Sequence, residues 1–203
     1  MKRQNKIIIA IIVAFVISVI IYIAIPSEVD FVPKPRGFFR IDLPKKEYHL
    51  FDSAYPYTFE IPQYAQIIPD TEKRAEPYWL NVDFPKYKGR INISYKKVNK
   101  NLYQYFEDAR TFANKHIAKA TNIDPEPFNS PENKVYGLVY DIQGDGVAST
   151  YQFCVTDSSK HFIRGALYFN IIPNNDSLSP VIDFIKEDIK HLLKTLKWKE
   201  KIK

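Results

Sequence analysis

The chain has 203 residues, 26% of them charged, with a formal charge of +6, 14 prolines, 14 tyrosines, 14 phenylalanines and a single cysteine. Lys2, Arg3 and Lys6 supply three of those charges, so the rest is nearly balanced and carries no nucleic-acid signature. One cysteine excludes an intramolecular disulfide, and the wealth of aromatic residues excludes disorder in favour of a packed, sheet-rich domain.

After the basic start at 1–6, the run Ile7 to Ile25 has no charge, proline or glycine. As a helix rising about 1.5 Å per residue it is roughly 28 Å long, close to the ~30 Å hydrocarbon core of a bilayer. The run is therefore expected to be a transmembrane anchor at 7–25. Cations before it and Glu28 and Asp30 after it orient the N-terminus toward the cytoplasm. A cleaved signal peptide is the alternative, but its apolar region is shorter and ends in small residues, whereas this run exits through Ile25 and Pro26. Lipidation requires a cysteine just after such a run, and the only cysteine is Cys154.

Residues 26–37, with Pro33 and Pro35, read as a stiff spacer, and 38–203 as one domain. Its first part predicts strands at Tyr57 to Ile61, Tyr78 to Phe84 and Arg90 to Tyr95. Asn101 is expected to cap a helix, with Gln104 completing a capping box. The helix would carry an apolar stripe from Leu102 through Phe106, Ala109 and Ala113 to His116, Ile117 and Ala120. A loop holding Pro125, Pro127 and Pro131 follows. Alternation then predicts a meander: Val135 to Ile142, Val147 to Val155 after a Gly144-Asp145-Gly146 turn, and His161 to Ile171. A last helix is expected from Ser179 as N-cap with Pro180 at its first position. Val181, Ile185, Ile189, Leu192, Leu193 and Leu196 form its buried stripe. The predicted class is α+β, one antiparallel sheet with two helices covering its apolar face.

The residues point to no enzyme, cofactor or metal. None of His49, His116, His161 and His191 stands at ligand spacing with another, and no nucleophile elbow, P-loop or dinucleotide fingerprint occurs. Asp157 and His161 flank a turn and are close enough to touch. Asp141 to Gly146 resembles the start of a calcium loop but lacks its later ligands, so a hairpin turn explains it better. Cys154 reads as a small strand residue. Interfaces favour aromatics and arginine, which makes Lys34, Arg36, Phe38, Phe39, Arg40, Tyr78 and Trp79 the candidate interaction surface.

Four blocks carry a resemblance: PKPRGFFRIDLP at 33–44, YWLNVDFPKYKGRINISYK at 78–96, residues 132–170, and PVIDFIKEDIKHLLKTLKW at 180–198. In them the chain resembles the GldD family of gliding-motility proteins of the Bacteroidetes, known as lipoproteins. The resemblance implies a component of the envelope machinery that moves surface adhesins, linked to type IX secretion, with other gliding or secretion proteins as partners and no catalytic residues. With the apolar run it implies an inner-membrane protein whose domain faces the periplasm. An envelope enzyme or a periplasmic ligand-binding domain is the alternative. The order of elements is also similar to the sandwich of the PsbP and Mog1 group.

Overall fold

The computed structural model describes residues 3–24, 37 and 40–199. They fall into two compact units, 1–37 and 38–203.

In the first unit the apolar run forms helix α1 (Arg3–Ala24, 22 residues). Its large described side chains, among them Ile11, Phe15, Ile20 and Tyr22, are exposed. Ser18 donates its hydroxyl proton to the Phe15 carbonyl at 3.2 Å, meeting its polar need within the helix. Among the described residues no helix is long and apolar enough to cross a membrane. The transmembrane span expected at 7–25 is corrected to that extent, and its last residue, Ile25, lies outside the described residues.

The second unit contains ten strands and two α-helices among its described residues. The strands are β1 (Tyr48–Phe51), β2 (Tyr57–Pro62), β3 (Gln66–Pro69), β4 (Leu80–Phe84), β5 (Gly89–Lys97), β6 (Asn122–Ser130), β7 (Val135–Gln143), β8 (Tyr151–Thr156), β9 (His161–Phe169) and β10 (Lys197–Trp198). The helices are α2 (Leu102–Asn114) and α3 (Asn175–Thr195). Seven strands pair in the order β3-β4-β5-β9-β8-β7-β6, and a smaller sheet runs β1-β2-β10, every pair antiparallel.

Alternation sorts the side chains of the large sheet between two apolar clusters. Ile91, Ile93, Phe153, Val155, Ile163 and Leu167 join Tyr57, Phe59 and Ile61 of β2 and the stripe of α3 in the main core. Val181, Ile185, Ile189, Leu192 and Leu193 of that stripe are buried, each stabilising the fold by about 1.5–3 kcal/mol. Cys154 and Phe162 point the other way and meet Ala109 and Ala113 of α2. The expected architecture is corrected here: the helices lie on opposite faces, and a second sheet shares the covering of the main core. Polar residues at the outward positions of β4 and β5 leave α2 an apolar seat only toward β8 and β9.

The meander of β7, β8 and β9 forms as alternation requires, with Leu138 opposite Cys154 and Val155 opposite Ile163. β8 starts at Tyr151, later than expected, because the connection continues past Gly146 and tucks Val147 into the second cluster. The 122–130 segment is a strand despite its prolines. β6 lies at the sheet edge, and Pro125 and Pro127, two apart, present their nitrogens on the same side, where an edge strand needs no donor. β4 begins at Leu80 because Tyr78 adopts a left-handed φ of 69° that breaks the expected run.

Both helix starts differ from expectation. Asn101 gives α2 no side-chain cap; its side-chain Oδ1 accepts from the Asn99 N–H, and Gln104 donates to Asp108 instead of reaching back. The helix ends at Asn114, so His116, Ile117 and Ala120 follow it in a turn. Asn174 caps α3, accepting from the Ser177 N–H at 3.2 Å, so Pro180 falls inside the helix rather than at its start.

Candidate functional site

Of the candidate interaction surface, Lys34, Arg36, Phe38 and Phe39 lie outside the described residues, and Arg40 is exposed. Tyr78 is structural: the Tyr57 hydroxyl donates to its carbonyl at 2.6 Å, and its ring meets Tyr95 edge-on at 5.7 Å. Trp79 donates its indole N–H to the Tyr95 carbonyl at 2.9 Å, and the Lys96 ammonium sits 5.4 Å from its ring centroid. No hydrogen bond, ion pair or ring contact joins Arg40 to this pair among the described residues.

The other residues weighed for chemistry are committed to the fold. Asp157 Oδ1 accepts from the backbone N–H groups of Ser159, Lys160 and His161, at 2.9, 2.7 and 2.8 Å. Burial alone would raise its pKa, but these donors hold it below the usual carboxylate range. The His161 ring turns away, with Nδ1 2.8 Å from the Tyr95 hydroxyl and its face stacked on Trp198. Burial lowers its pKa, opposed by Asp157. His116 is also lowered, by burial and the charge of Arg164. His191 Nε2 lies 2.6 Å from Glu60. Asp141 takes both carboxylate oxygens to Lys186 at 2.8 Å, closing off its part in a calcium loop. Among the described residues no acidic, cysteine or histidine group is arranged to hold a metal ion. Cys154 is fully buried and its thiol is pushed up to about 12 by burial, which keeps it unreactive.

A cleft of 520 Å³ opens where the uncovered part of the large sheet meets α2. Its floor is the outward row of β4, β5 and β9, including Asn81, Asn92, Ser94, Arg164, Ala166 and Tyr168. Register places these in contact order, with Asn81 opposite Asn92, Asn92 opposite Ala166 and Ser94 opposite Arg164. Trp79 forms one wall; Tyr105, Asp108 and Phe112 of α2 form the other. Phe162, beneath α2, holds Tyr105 and Phe106 in place through ring contacts at 5.3 and 5.5 Å.

Arg164 stands at the centre. It donates to Gln152 Oε1 at 2.8 Å, and its guanidinium lies 4.5 Å from the Phe112 ring centroid. Burial pulls its pKa below the ordinary arginine value, yet an arginine stays charged in proteins. Nearby cations are neutralised: Arg90 makes a two-pronged pair with Asp83 at 2.6 and 2.7 Å, and Lys96 pairs with Glu76. Arg164 has no carboxylate at ion-pair distance among the described residues. The side-chain amides of Asn81 and Asn92 have no hydrogen-bond partner there either, and Gln152 Nε2 is buried with none.

This cleft was missed in the sequence. The available signal was Arg164 itself, a lone charge in a strand with apolar residues on both faces, Phe162 and Ala166 on one and Ile163 and Leu167 on the other.

The family model for the gliding motility lipoprotein GldD matches residues 28–198. The solution structure of cyanobacterial PsbP (CyanoP) from Synechocystis sp. PCC 6803 is similar over 79% of this chain and 97% of that chain, at 10% identity and a TM-score of 0.46. No curated protein matches the sequence.

Proposed function

This chain belongs to the GldD family of gliding motility lipoproteins, and we propose that it serves the gliding machinery as a membrane-held component that works by contact with other envelope proteins rather than by catalysis. The observation that carries this reading is the extent of the family match, which begins just beyond the apolar run and takes in all the described strands of the second unit. The commitment of Asp157, His161 and Cys154 to turn, ring stack and core supports a role without chemistry.

In this reading α1 is the tether. The segment that would meet the hydrocarbon core is the uncharged run from Ile7 to Ile25 as read in the sequence. Its exposed apolar side chains suit lipid rather than water, and the cations before the run set the N-terminus in the cytoplasm and the folded unit in the periplasm. The one cysteine lies inside β8, so a lipid on that residue is no alternative tether. The domain would support assembly or stability of the apparatus that displays surface adhesins, in connection with type IX secretion.

Deleting the gene tests this. Loss of colony spreading and of adhesin display is expected, with both restored by the full chain; normal movement of the deletion strain would reject the proposal.

A further inference from the structure

We propose that the cleft is a binding site for a carboxylate carried on an aromatic or apolar group, with Arg164 receiving the carboxylate and Trp79 and Phe112 enclosing the apolar part. This goes beyond the role in motility and does not depend on it.

A half-buried guanidinium without a counter-charge is unfavourable unless something supplies one. Its planar fork of donors matches a carboxylate. The bond to Gln152 leaves most of that fork of five donors uncommitted. The guanidinium lies 4.5 Å from the Phe112 ring centroid, and a contact that limits its motion reduces the entropy lost when a ligand docks. The free amides of Asn81 and Asn92 stand on the same floor, where they can hydrogen-bond a second polar group of the ligand.

Charge selects the ligand class. Among the described residues Arg164 is the one unpaired cation of the cleft, and Asp70, Glu72 and Asp108 also line it. These repel a phosphate dianion more strongly than a singly charged carboxylate. The volume of 520 Å³ falls within the range of about 300–1,000 Å³ usual for small-ligand sites. The shared chemistry is a carboxylate beside an apolar group, whether on a small organic acid or at the C-terminus of a peptide.

The test uses the full chain in detergent with Trp198→Phe, leaving Trp79 as the reporter of the two tryptophans. N-acetyl-phenylalanine and its neutral amide are titrated against Trp79 fluorescence. Saturable binding of the acid is expected, with the amide weaker by about tenfold or more. Arg164→Gln should abolish the preference. Asp108→Asn should strengthen the acid a few-fold and leave the amide unchanged, a gain that misfolding cannot imitate. A hexapeptide ending in phenylalanine, free and amidated, separates the sources: tighter binding of the free peptide than of N-acetyl-phenylalanine points to a protein C-terminus, and weaker binding to a small acid. Equal binding of acid and amide overturns the proposal. So does a preference that survives in folded Arg164→Gln, or an Asp108→Asn variant that binds the acid no more tightly.

Discussion

Replacing Asp188 should cost more stability than any other single carboxylate replacement in the folded unit. Its side chain is 1% exposed on α3 and accepts from Lys46 at 2.6 Å, Tyr48 at 2.9 Å and Tyr64 at 2.6 Å. These bonds tie the segment leading into β1, β1 itself and the turn after β2 to the helix, and burial together with the Asp188 charge raises the pKa of both tyrosines. Removing one member of a buried pair costs about 3–5 kcal/mol. Lys46 is 28% exposed and can turn to water, so Asp188→Ala should lose roughly 3 kcal/mol, the lower end of that range. At about 2–4 °C per kcal/mol for a domain of this size, the melting temperature should fall by roughly 6–12 °C. Asp188→Asn keeps an acceptor for one tyrosine and should lose about half as much. Denaturant and thermal unfolding of the full chain in detergent measure both. A loss below about 1 kcal/mol for Asp188→Ala, the scale of a surface pair, would refute the reasoning.

Gly165→Ala should destabilise the domain by about 1–3 kcal/mol, since a Cβ there would stand 2.1 Å from the Phe153 ring that packs over it; Phe153→Leu in the same chain should recover part of the loss in a denaturant titration. Stability should also fall on acidification. The folded-state pKa values of His161 and His116 lie below the ordinary histidine value, so their stabilising contribution is complete above about pH 6.5 and is lost as pH drops through the folded pKa. The depressed pKa of Asp157 continues the trend, its contribution being present above the unfolded carboxylate value and lost below it. Unfolding midpoints at a series of pH values, compared with those of His161→Gln, should show a shallower slope for the variant.

Elements whose partners are near in sequence were legible. The alternation in β7, β8 and β9 reports a sheet buried on one face and half-covered on the other, and the stripe of α3 matches its burial from Val181 to Leu196. What escaped depends on distant partners. β1, β3 and β10 are four, four and two residues long, too short for periodicity, and exist because β2 and β4 offer them an edge. β6 hid behind prolines that only an edge position tolerates. The Gly144-Asp145-Gly146 turn forms where the sequence places it, because Gly and Asp serve turns locally; Asp157 meets His161 through the backbone N–H rather than the ring, which stacks on Trp198 instead. Tyr78 and Trp79, singled out as aromatics, both pack half-buried against the main core, and Trp79 also lines a cleft wall. The cleft could not be read from any one segment, since its floor and walls are assembled across three strands and a helix.

The central claim is that this folded unit serves gliding from the surface of a membrane, with α1 as its tether. Its most direct measurement is colony spreading of a deletion strain complemented with three chains: the full sequence, one with residues 7–25 exchanged for an unrelated transmembrane helix, and one secreted to the periplasm without a tether. The first two are predicted to restore spreading and the third to fail. Full spreading with the untethered chain, or failure with the exchanged helix at equal protein levels, would contradict the claim.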